Sequence, residues 1–210
     1  MDGAWVDRLE RRFGFLAAPG LPGFIAGMTV LVAVLGQIKP EFVDALALDP
    51  FALARGQVWR AVTFLFTPPL MSLLWLIMWI AMLYMILQAL ERAWGAFKFT
   101  VFLLIGVLAT AAGSVAVGAP FDNSIVILAA FLAFARLLPD REMLIMFVLP
   151  VKMRWLAGLS ALWIAVEFLT TGLSTRVWLA CGLLPYLLFF GDGHRRDLSQ
   201  SWRRWRQERP

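Results

Sequence analysis

Two residue types that usually carry chemistry are almost missing from this chain: among 210 residues there is one cysteine, Cys181, and one histidine, His194. A lone cysteine excludes an intramolecular disulfide, and inside an apolar run it says nothing firm about redox compartment. Internal repeats and low-complexity linkers are also absent. No small-residue cleavage site accompanies the first apolar run, which follows Arg8, Glu10, Arg11 and Arg12, so it reads as a retained helix rather than a removed signal peptide. Lysine is scarce, 3 residues against 16 arginines. That bias is typical of a GC-rich bacterial genome and makes a bacterial plasma membrane the expected location. No metal and no cofactor are expected.

What is present is apolar. Hydrophobic residues make up 61% of the chain, against roughly 45–50% in soluble domains, and the mean hydropathy is +0.77. Several runs are long enough to cross a bilayer, which defines an all-α, multi-pass membrane protein. Helices are predicted at Leu21–Ile38, Leu70–Leu87, Phe97–Val117, Ser124–Leu138, Trp155–Leu169 and Val177–Phe190. Breakers separate most of them: Lys39-Pro40, Pro68-Pro69, Gly118–Pro120, Pro139 and Thr171-Gly172. Met143–Leu149 is too short to cross between Pro139 and Pro150 and is expected along the membrane edge. The predicted organisation is an amphipathic segment at 1–20, a six-helix membrane domain at 21–193 and a basic cytoplasmic tail at 194–210.

Orientation follows from the cations. With both termini inside, 15 of the 19 arginines and lysines fall on the inner side, and Lys39, Arg55, Arg60 and Arg176 on the outer. The net charge of +5 is therefore a topology signal. A nucleic-acid partner would need a basic face on a soluble fold, and none is available. The fourth, fifth and sixth predicted helices are short, about 22 Å against the ~30 Å hydrocarbon core, so they sit inside the bundle or thin the bilayer. The long connection Lys39–Pro69 is apolar enough to fold back into the interface. Trp5, Leu9 and Phe13, and Trp202 and Trp205 among the terminal arginines, suit anchorage on anionic lipid or a cytoplasmic partner for the tail.

Three stretches are more specific: Trp59-Arg60 in the first loop; Leu90, Glu91, Arg92, Trp94 and Gly95 after the second helix; and Pro150-Val151-Lys152 followed by Arg154-Trp155-Leu156 before the fifth. In order and spacing they resemble the rhomboid superfamily of intramembrane proteases and its inactive relatives, including the Derlins. The resemblance spans about two-thirds of the chain, Phe51 to Gly191. It implies a six-helix rhomboid-like bundle with both termini inside. The motif residues also have structural readings: Arg60 and Trp59 in the headgroup region, Glu91-Arg92 closing a tight turn, and Gly95 letting the next helix start close by.

Catalytic members of that superfamily carry Gly-x-Ser-Gly at the start of the fourth helix and His-Leu-Gly-Gly in the sixth. Counting back from Pro139 puts the family serine at Ser124, with Asp122 and Ile125 where glycines would stand. In a second register Gly118–Phe121 is the remnant and the serine is gone. The histidine's place reads Trp178-Leu179-Ala180-Cys181, and Ser72 and Leu76 stand where a His and an Asn of the second helix are usual. A serine hydroxyl is a weak nucleophile without a base within about 3 Å, and His194 follows the sixth helix on the inner side. Asp122 and Ser124 are not expected to point together. Asp122, Asn123 or Ser124 would instead cap the fourth helix. Ala129, Ala130, Ala133 and Ala135, facing Ala180, Cys181 and Gly182, should keep the fourth and sixth helices in contact.

The resemblance to inactive relatives implies a non-enzymatic membrane protein binding transmembrane clients, in quality control or trafficking. Glu167, the one acid predicted inside a span, would touch a client or Arg176, or snorkel outward. The alternatives are a structural subunit of a membrane complex and a serine protease with an unorthodox base.

Overall fold

Prolines set where several helices begin. Pro22, Pro40 and Pro50 each occupy the first turn of a helix, where the missing N–H is no loss. The computed structural model describes the backbone of residues 4–140, 142–145 and 149–207, and the side chains of residues 6, 8–140 and 152–191. An amphipathic helix α1 (Ala4–Phe13) precedes α2 (Leu21–Ile38). The first loop folds into α3 (Pro40–Leu46), α4 (Pro50–Ala54), α5 (Arg60–Thr63) and a 3-10 turn at Phe64–Phe66. Then follow α6 (Leu73–Trp94), α7 (Ala96–Val117), α8 (Ser124–Leu137), strands β1 (Glu142–Ile145) and β2 (Leu149–Lys152), α9 (Met153–Thr170) and α10 (Leu173–Gln207).

Five of these helices are long and apolar enough to cross a membrane, and α8 is a shorter apolar sixth. The expectation of three short helices is therefore corrected. Only α8 is short: its 14 residues reach about 21 Å, whereas α9 has 18 residues and the apolar part of α10, Leu173–Gly191, has 19. Sequence patterning missed the first turns of α9 and α10 because polar residues such as Arg154 and Arg176 open them.

A hairpin and a helix end make two of the connections. The segment expected along the membrane edge contains an antiparallel hairpin pairing Glu142 with Lys152 and Ile145 with Leu149. Glu91 and Arg92 do not form a turn; they complete the last turn of α6, and only Gly95 breaks the chain. The basic tail continues α10 as helix to Gln207. Arg141, residues 146–148 and 208–210, and the side chains of Trp5, His194, Trp202 and Trp205 lie outside the described residues.

The centre of the bundle is α7. Half of its span is buried, 50%, against 6% for α9. Phe99 and Phe102 of α7, Leu83 and Leu90 of α6, and Ile125 and Val126 of α8 fill the middle. In lipid such packing is held by close fit rather than by exclusion of water. The expected meeting of the fourth and sixth helices is present: α8 packs on α10, and a Cβ on Gly182 would overlap Cγ2 of Ile125. The first loop packs on the bundle, burying Leu48, Ala52, Phe64, Leu65 and Phe66.

Candidate functional site

The first loop positions the start of α8. Leu48 forms an isolated antiparallel bridge with Phe121. Asn123, buried at 6% exposure, donates from its side-chain amide to the carbonyls of Leu65 (2.9 Å) and Thr67 (3.0 Å). Asn123 is thus a clamp between the loop and α8 rather than the capping acceptor considered from sequence.

The capping acceptor is Asp122. Its Oδ1 accepts from the backbone N–H of Ser124 at 2.9 Å and from the Ser124 hydroxyl at 2.6 Å. The expectation that Asp122 and Ser124 do not point together is corrected, because the turn at Asn123 folds the aspartate back over the first turn of α8, the common behaviour of Asp at helix starts. Both residues are exposed. A carboxylate is a poor base for a hydroxyl even at this distance.

Trp178 of α10 lies beside them, donating from Nε1 to the carbonyl of Asp122 at 3.4 Å, a long and weak bond. The indole walls an open depression of ≈ 210 Å³ shared with Phe121, Asp122, Ser174 and Thr175. Trp178 therefore meets the residues around Ser124. His194 is roughly 24 Å further along the same helix at 1.5 Å per residue. Ser72 occupies the N-cap position of α6 without a side-chain cap bond, and Leu76 is buried.

The motif residues hold the scaffold at its two ends. The Arg60 guanidinium donates to the carbonyls of Asp44 (2.5 Å) and Ala47 (2.8 Å) and to Gln57 Oε1 (2.7 Å). Trp59 Nε1 reaches the carbonyl of Ala45 at 3.4 Å, and the Thr63 hydroxyl that of Leu46 at 3.0 Å. The carbonyls that end α3 have no partners within their own helix, and these side chains supply them. Arg60 thus ties the end of α3 to the start of α5.

At the opposite end Glu91 Oε1 accepts from the N–H of Gly20 at 2.8 Å, setting a carboxylate at the start of α2, where the helix dipole favours it. Trp94 is buried against Phe102 (5.3 Å between ring centroids) and Phe189 (5.5 Å). Gly95 has φ +84° and ψ 159°, a backbone state open in practice only to glycine. A Cβ there would meet nothing, so conformation rather than close approach explains it.

Arg92 is exposed, and Lys152 is half-buried at the head of α9. Arg154 pairs with Asp140 at 3.7 Å and lies over the exposed Trp155 ring at 5.9 Å. Glu167 is half-buried, and Arg176 donates to the carbonyl of Leu169 (3.2 Å) and lies over Phe168. Sequence reading missed Asn123 as an anchor, since nothing local marks an amide whose acceptors are over fifty residues away. No group of His, Cys, Asp and Glu able to hold a metal occurs among the described residues.

Taken with known proteins, the sequence matches no family model and no curated protein. The architecture defines the class: a helical protein whose apolar helices are those of a multi-pass membrane protein.

Proposed function

We propose that this chain is a non-catalytic, rhomboid-like membrane protein that binds transmembrane client segments in quality control or trafficking, with six crossings and both termini inside. The observation that carries the reading is the junction of α8 and α10. A hydrolytic serine needs a base, whereas the neighbour that α10 brings to Asp122 is Trp178, and the one histidine is roughly 24 Å away along the helix.

Client binding is supported by α9. Its helix neighbours are α8 and α10, and it leaves Trp155, Leu159, Leu162 and Leu169 exposed. Gly158, Ala161 and Ala165 recur on one face at helical spacing and are exposed, and small residues are where membrane helices approach closely. The short α8 adds a local mismatch with lipid that eases the approach of a client.

The hydrogen bond from Ser124 to Asp122 favours a second reading, a serine protease with an aspartate in place of the usual base. A photocrosslinking residue at Ala161 in native membranes separates the two. Intact transmembrane proteins should be captured, and equally by the wild type and the Ser124→Ala variant. Capture of cut products that disappear with Ser124→Ala would establish the protease, and absence of any captured membrane segment would remove client binding.

A further inference from the structure

Away from the α8–α10 junction, a cleft opens between α2 and α6. Its inner chamber, ≈ 350 Å³, is lined by apolar side chains such as Ala26, Val30, Leu73 and Ala81, with Tyr84 at the far end. Its outer chamber, ≈ 540 Å³, lies against the first loop and adds Gln37 and Asp44 to an apolar lining that includes Pro69 and Val43. Ala33 and Leu76 line both, so the two chambers adjoin.

The cleft thus has a polarity gradient: apolar along the bundle and polar where α2 gives way to α3. Neither chamber alone has the volume of a helix. A helix of ten residues, about 15 Å long and 10 Å wide, already displaces more than about 1,000 Å³. Each chamber is open on one side and is large enough for one slender part of an amphiphile, the rest of which stays in the bilayer. An amphiphile with one chain in the inner chamber and its polar end in the outer one matches the gradient.

The charges at the mouth select the headgroup. Asp44 forms no ion pair among the described residues, and Arg60 is held by backbone carbonyls rather than by that carboxylate. Pro40 also lines the outer chamber, and its sequence neighbours Lys39 and Glu41 are exposed. A carboxylate attracts an ammonium and Lys39 a phosphate. We infer that the α2–α6 cleft is a binding site for one phospholipid with an ammonium headgroup, its acyl chain against Ala81 and its ammonium at Asp44. This site is independent of the client reading, since it involves neither α9 nor Ser124.

Native mass spectrometry of the whole protein, extracted from phosphatidylethanolamine-containing membranes in mild detergent, tests it. Wild type should retain one phospholipid of the ammonium class in excess over its share of the membrane. Ala81→Trp, at an exposed lining position, should lower retention by roughly tenfold or more by filling the inner chamber. Asp44→Lys should shift the retained lipid towards anionic headgroups. Val115→Trp, on the exposed face of α7, should change neither. A wild-type protein without bound lipid, or one whose retained lipids mirror the membrane and ignore both substitutions, would overturn the inference, as would a protein segment seated in the cleft.

Discussion

Ser124, Asp122 and Asn123 are neighbours with three different jobs, and single substitutions separate them. Asp122→Ala removes the acceptor for the first N–H of α8 and should cost about 1 kcal/mol. Ser124→Ala keeps that bond and loses only an exposed hydroxyl, so its effect should stay within about 0.5 kcal/mol. Asn123→Ala strands the carbonyls of Leu65 and Thr67 and should be the most damaging, at about 1–3 kcal/mol. Asn123→Asp should fail to restore stability, because a carboxylate cannot donate to a carbonyl. Heating each variant in detergent, followed by helical circular dichroism, ranks them; Ser124→Ala ranking worst would contradict the capping geometry. On the proposed non-catalytic reading a fluorophosphonate should leave the wild-type protein unlabelled, and labelling at Ser124 would overturn it.

At the scale of elements, the tightest fit is between α8 and α10. Gly182→Ala would drive a methyl into Ile125 and should destabilise by about 1–3 kcal/mol. Ile125→Ala in the same chain should recover part of that loss, because the methyl then occupies the vacated space. Additive effects of the two changes, measured by the same thermal unfolding, would show that the helices do not meet there. The short α8 has its own consequence. At about 21 Å it cannot match a ~30 Å hydrocarbon core. Nitroxide labels at Ser124 and Leu137 should both report polar surroundings in a reconstituted bilayer; a dry label at either end would mean that the helix is covered by lipid of normal thickness.

For the whole molecule, the proposed topology with both termini inside rests on the distribution of cations and on six crossings by α2, α6, α7, α8, α9 and α10. Topology reporters placed after Gln207 and between Lys39 and Arg55 should lie on opposite sides of the membrane, the first loop outside. A first loop reached from the inside would invert the arrangement and move Ser124 with it, since Asn123 and Phe121 tie α8 to that loop.

The apolar runs, their proline and glycine breaks and the uneven cations were enough to define a membrane-helical chain, because local hydropathy is a property of short segments. The bounds of α2 were legible to the residue, since Pro22 opens it and Pro40 starts the next helix. So was the separation of His194 from Trp178, which depends only on distance along the chain. Other features depend on residues far apart in sequence. Glu91 capping Gly20, Asn123 reaching Leu65, Arg60 collecting the carbonyls of α3, and the cleft between α2 and α6 all require the helices to be assembled first. Only the tertiary structure decided these, because a hydrogen-bond partner or a gap between helices is set by how distant segments pack, while a single sequence records only what each segment prefers alone.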